Sequence, residues 1–334
     1  MDGIQQNARG RRVVSQPDDG ASYWCPVPAN GFAHPKLVPA NTGFDGLSMG
    51  FQSIPPGSNV REHSHTDAIE LQIGFSGTGR AVIDGTDHAI APGAACFIGY
   101  DVKHEIHNES DEELVMLWMI APAGLEDYFQ AIGRTRQPGE TAPDPFARPT
   151  DSAAIDQRVG MQAGGDSSAA DNVHSPDRNP DVVGKVVVVP PGEGASYWQP
   201  KPADGFADNV FLPANTGFDG LTMGFQTVPP GRYIRDHAHE TEIEMHICME
   251  GAGSIDIDGE THKLVPGTSC FVGYGVNHKI INDGDDDLVM AWVIAPGGLD
   301  DHLASIGKLR VPGDPPPDSF ERSPAAGLQG NHRS

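Results

Sequence analysis

The sequence predicts an all-β protein built as two jelly-roll barrels in tandem, and three observations carry that expectation. Forty-one glycines and 29 prolines punctuate the 334 residues, breaking the apolar residues into short runs of strand length separated by tight-turn signals. The second half repeats the first: GASYW begins at Gly20 and again at Gly194, and PANTGFDGL begins at Pro39 and again at Pro213, both at an offset of 174 residues. So long a period means two complete domains, since solenoid and propeller units recur every roughly 20–50 residues. Helical periodicity, finally, is confined to one short stretch near the end of each copy.

Taken in order, the first copy is expected over residues 12–149, with strands at Gly46–Ser53, Asn59–His65, Ile69–Phe75, Gly79–Asp84, His88–Ala91, Ala95–Ile98, His104–Asn108 and Glu113–Ile120. Eight strands of this kind suit a jelly roll. Leu125, Tyr128 and Ile132 then follow at helical spacing before Gly133, as do Leu299, His302 and Ile306 before Gly307, which gives each barrel a short C-terminal helix. Residues 150–181 are rich in Ala, Gly, Ser and Asp and poor in large apolar residues. They read as a flexible linker, and the second copy is expected over residues 182–323.

The formal charge of −24 repels phosphate backbones and anionic membranes, so nucleic acid and membrane are excluded as partners. Residues 1–16 carry no apolar run of signal or membrane-span length, which points to the cytoplasm. Four scattered cysteines in a chain of this size make no disulfide framework and read as reduced thiols, with Cys96 and Cys270 in apolar strands.

The chemistry concentrates in one pattern per copy. The first reads Gly57-SNVRE-His63-Ser-His65-TDAI-Glu70-LQIGFS-Gly77, then His104-EIH-Asn108; the second reads Gly231-RYIRD-His237-Ala-His239-ETEI-Glu244-MHICME-Gly251, then His278-KII-Asn282. Residues two apart on a strand share a face, so His63 with His65 and His237 with His239 converge, and Glu70, His104, Glu244 and His278 join them from neighbouring strands. Three imidazoles and a carboxylate suit a first-row divalent ion with coordination positions left for water or substrate. A packing role does not explain why two copies that differ at about half their positions both keep these polar, hard-to-bury groups. In the second copy Glu240 and Glu242 are also near, and alignment with Glu70 favours Glu244.

These two patterns resemble the paired motifs of the cupin superfamily, G-x5-H-x-H-x4-E-x6-G followed by P-x-G and H-x3-N. The first motif matches at every position in both copies; the second departs, because Pro92-Gly93 and Pro266-Gly267 are adjacent and the following histidine comes later. The resemblance implies two cupin (double-stranded β-helix) barrels and one divalent ion per barrel: iron(II) first, with manganese, nickel, copper or zinc as alternatives. It also implies a metal-dependent enzyme similar to the two-domain quercetin and gentisate dioxygenases, oxidising or cleaving a small aromatic or β-dicarbonyl anion with O2. Redox-neutral chemistry of the oxalate decarboxylase type is one alternative, and non-catalytic binding of a small molecule is another. By the same analogy a homo-oligomer is expected, with GASYW and the arm after it as exchange segments.

Two pairs of neighbours complete the expected sites. Arg61 and Arg235 stand two residues before the first histidine of each set and so face the ligands, either gripping a substrate anion or pairing with a structural carboxylate. Gln72 and His246 stand two residues after the metal glutamates and are candidates for orienting ligands or moving protons, or for polar positions in a barrel wall.

Overall fold

The computed structural model describes residues 7–163 and 178–322. The chain divides into two compact units, one of Asp18–Pro191 and one of Met1–Pro17 with Gly192–Ser334.

The eight strands expected in the first copy are present as Ser48–Ile54, Asn59–His65, Ile69–Ser76, Gly79–Ile83, Thr86–Ile90, Ala95–Ile98, His104–His107 and Leu114–Ala121. They fall into two antiparallel sheets, an eight-stranded one centred on Leu114–Ala121 and a five-stranded one centred on His104–His107. The second unit repeats this with an eight-stranded and a four-stranded sheet. Inward-facing residues of both sheets, such as Ile54, Ile83, Ile98, Ile106 and Met116, form the core of the first unit, and Val228, Ile257, Val272, Ile280 and Met290 that of the second. Cys25, Cys96, Cys248 and Cys270 are free and buried, and burial pushes each thiol up to about 12. The helices expected at the end of each copy are Leu125–Ile132 and Leu299–Ile306.

The most conspicuous repeated string has a structural explanation. In PANTG the Asn41 side chain accepts from Val38 N–H and donates to the Lys36 carbonyl, Thr42 Oγ1 donates to the Val38 carbonyl, and Gly43 takes a left-handed φ of 69° that closes the turn. Asn215, Thr216 and Gly217 repeat the arrangement.

Two features depart from the expected domain limits. Arg12–Ser15, expected to open the first barrel, pairs instead with Ser269–Val272 of the second, and Val186–Val189 pairs with Ala95–Ile98 of the first. In each copy this strand lies before GASYW. Pairing register is fixed by backbone hydrogen bonds that any β-branched run can offer, so the sequence of RVVS or VVVV does not name its partner.

The expected linker is also partly ordered. Residues Ser152–Arg158 form a helix and Met161–Ala163 a strand that pairs with His63–His65. Ile155 and Met161 are buried in a cluster with Trp118, Tyr128 and Phe129. Low apolar content argues against independent folding, but two anchors of about 1.5–3 kcal/mol each suffice to dock a segment on an existing core. The rest of that linker, residues 164–177, lies outside the described residues, as does residue 323.

Candidate metal centres

The strand Asn59–His65 places His63 directly opposite His104, while Glu70 arrives from the other sheet on Ile69–Ser76. Ligand atoms of His63, His65, Glu70 and His104 lie within 4.8 Å of one another, and all four residues are buried. Glu70 Oε2 is 3.1 Å from His65 Nε2 and 2.9 Å from His104 Nε2. His63 Nδ1–H is given to the Arg61 carbonyl at 2.9 Å and His104 Nδ1–H to the Val102 carbonyl at 3.0 Å. Those bonds fix the tautomer and leave each Nε2 lone pair aimed at the centre. For His104 this sets a lone pair against a carboxylate oxygen, an arrangement that a cation between them would relieve.

The second unit builds the same constellation from His237, His239, Glu244 and His278, again within 4.8 Å. His237 faces His278 across the ladder and gives Nδ1–H to the Arg235 carbonyl at 2.9 Å; His278 Nε2 lies 2.9 Å from Glu244 Oε2. His239 Nε2, 3.1 Å from the same oxygen, is buried without a hydrogen bond, an orphaned lone pair that a metal ion would satisfy. The donor sets therefore fit a divalent ion in each barrel.

Burial and the neighbouring imidazoles of His104 and His65 hold His63 well below its ordinary value. Burial, then His278, takes His237 down to about 3. Both stay neutral, as ligands must. Burial alone would raise the two glutamates, but the neighbouring imidazoles of His104 and His65 hold Glu70 well below the carboxylate range. His246, followed by the His239 and His278 imidazoles, does the same for Glu244.

The two centres differ in access. His65 lies within a strand, held on its outer side by Met161–Ala163, whereas the matching strand ends at His237 and leaves His239 in a loop. Among the described residues that strand of the second unit has no outer partner. Accordingly the His63 and His65 side chains are buried, while those of His237 and His239 are 32% and 18% exposed.

Gln72 and His246 are buried beside the glutamates: Gln72 Nε2 donates to Glu70 Oε1 at 3.4 Å, and His246 Nε2 lies 3.4 Å from Glu244 Oε2. Arg61 is committed to a carboxylate, with its guanidinium 2.8 Å from Asp156 Oδ2 on the strap helix, and Arg148 binds Asp156 Oδ1 at 3.1 Å and the Tyr128 hydroxyl at 2.7 Å. Arg235 is exposed and donates to the Lys201 carbonyl. Arg148, Asp156, Arg322 and His302 went unmarked as site residues in the sequence; the signal for the second arginine was there, since FAR at 146–148 and FER at 320–322 keep the 174-residue offset.

Paired sheets with three histidines and a glutamate between them define a duplicated metal-binding β-barrel. The Cupin domain family matches twice, at residues 50–120 and 224–294, so the chain carries two cupin domains in tandem. An oxalate-binding protein from Thermotoga maritima is 34% identical over 67 residues, 20% of this chain and 55% of that protein. The chain spans about half the length of the curated relatives it matches. Among solved structures, procruciferin, an 11S globulin from Brassica napus, has a TM-score of 0.58 at 10% identity, covering 89% of this chain and 87% of that one. An oxalate decarboxylase variant from Bacillus subtilis has a TM-score of 0.55 at 15% identity over 86% and 78%. At these identities the likeness is one of fold, shared by a storage globulin and an enzyme.

Proposed function

We propose that the protein is a metal-dependent enzyme acting on a small organic anion, with the second barrel as the reacting site and O2-dependent oxidation as the reaction class. The observation that carries the reading is the second centre, where three imidazoles and Glu244 converge while His237 and His239 are partly exposed. A ligand set open on one side leaves positions for substrate, which a closed structural site does not. A divalent ion bound there would supply Lewis acidity and, for iron, one-electron chemistry with O2. The chain's own residues do the rest. Glu244 and the Nδ1–H bond of His237 fix the donor geometry, His246 stands within reach of Glu244 as a proton carrier, and Arg235 lies on the same strand face to orient an anion.

Redox-neutral decarboxylation of a small carboxylate is the second reading, favoured by the oxalate-binding relative. One experiment separates them: O2 uptake and CO2 release are followed with iron- and manganese-loaded protein on phenolic, β-dicarbonyl and dicarboxylate panels, with and without air. Turnover that stops without O2 supports the first reading, and CO2 release indifferent to O2 supports the second. Absence of turnover in every arm removes both.

A further inference from the structure

We propose that Arg235 and Arg322 form a carboxylate-binding site at the second centre, taking from solution the group that Asp156 supplies from within the chain to Arg61 and Arg148 at the first. This deepens the proposed function by naming the substrate's anchoring group, and it rests on that reading only for what the anchored molecule then undergoes.

The duplication provides the template. Arg61 and Arg235, Arg148 and Arg322, and Tyr128 and His302 are equivalent at the 174-residue offset. In the first unit one carboxylate bridges the two guanidiniums, 2.8 Å from Arg61 and 3.1 Å from Arg148, with the Asp156 side chain 9% exposed. This is the charge-assisted bridging that a bound carboxylate would make. The second unit keeps both arginines. Among the described residues neither Arg235 nor Arg322 has a carboxylate partner, and the position equivalent to Asp156 is Gly330.

The cationic groups there are under-compensated. Arg322 Nε is buried with no hydrogen-bond partner. One Arg322 amino group donates to His302 Nε2 at 3.0 Å, which requires that ring to be neutral on that side, so the ring cannot act as a counter-charge. Burial, then the charge of Arg235, lowers Arg322, and the charges of Arg322, His239 and Arg235 act on His302 in turn. Arg235 donates to the Lys201 carbonyl at 3.1 Å and Lys201 N–H to the Phe320 carbonyl at 2.9 Å, which brings the Phe320–Arg322 segment alongside the strand that carries His237, a ligand of the open centre. A carboxylate bridging Arg235 and Arg322 would neutralise them and hold the attached molecule next to the metal ligands.

The test is calorimetric titration of the full-length chain with benzoate, and with benzamide as the neutral isostere. Each is run on zinc-loaded and on chelator-treated protein whose fold is checked by circular dichroism. The expected result is about one benzoate per chain, no benzamide, and affinity weakened about tenfold or more by both Arg235→Gln and Arg322→Gln, with Arg148→Gln leaving it within about twofold. Arg235 is exposed, so its substitution keeps the test valid even if Arg322→Gln misfolds. Benzoate binding to metal-free protein that needs both arginines upholds the site even if no turnover is ever found. Binding that requires zinc and ignores both arginines overturns it while leaving the metal reading standing. No benzoate binding, equal binding of benzamide, or dependence on Arg148 also overturns it.

Discussion

The strap of residues 152–163 is expected to govern exchange at the first centre, and Ile155→Ala isolates it. Ile155 is 5% exposed, in the cluster with Trp118, Tyr128, Phe129 and Met161. Truncating a buried isoleucine to alanine costs about 2–5 kcal/mol. A short surface helix can resettle, so the lower part of that range, about 3 kcal/mol, applies. That loss falls on the strap, since the barrel strands keep their ladders without it. At about 1.4 kcal/mol per tenfold, the strap's open fraction rises about a hundredfold. In a His237→Ala background, where only the first cluster keeps its full ligand set, zinc release to excess chelator should accelerate by that factor, and so should tryptic cleavage after Arg158, which tracks the open population. If both rates stay at wild-type values while the whole protein melts lower, the strap does not open separately and the reasoning is refuted.

Other consequences can be measured directly. Glu70→Gln and Glu244→Gln each remove the only carboxylate of one cluster, so zinc content by elemental analysis should fall from two to one per chain in either variant; two ions retained by either would contradict the ligand assignment. Buried His34, with Nε2 2.8 Å from the Asp19 carbonyl, is held down to about 4 by burial and then by Lys36, against an ordinary value of 6.5. Because the folded value lies below the unfolded one, its contribution to stability is complete above pH 6.5 and is lost as pH falls through about 4. Urea midpoints measured between those values should fall less steeply in His34→Gln, and identical slopes would count against this. Asn41→Ala removes the bonds to Val38 N–H and the Lys36 carbonyl and should cost about 1–2 kcal/mol of stability with zinc content unchanged. A loss of metal on that substitution would mean that the turn does more than close the chain.

The ligand sets were legible because strand alternation converts spacing into direction: His63 and His65 had to share a face, and duplication showed which polar residues persist. The strands around them were legible for the same reason, since Pro-Gly and Asp-Gly punctuation marks their ends. The pairing of Arg12–Ser15 with the second barrel was not, nor was the docking of Ile155 and Met161 from a segment of linker composition. Both depend on partners far away in the chain.

The sequence by itself determined that two β-barrels each carry three histidines and a glutamate of metal-ligand type, because residue type, period and repetition are local properties. Only the tertiary structure decided that the two centres are unlike. Whether an arginine meets an acid depends on which backbone lies across from it, and Asp156 reaches Arg61 across 95 residues of chain. That distance in sequence carries no pattern, while the 2.8 Å in space fixes the charge left over for a ligand.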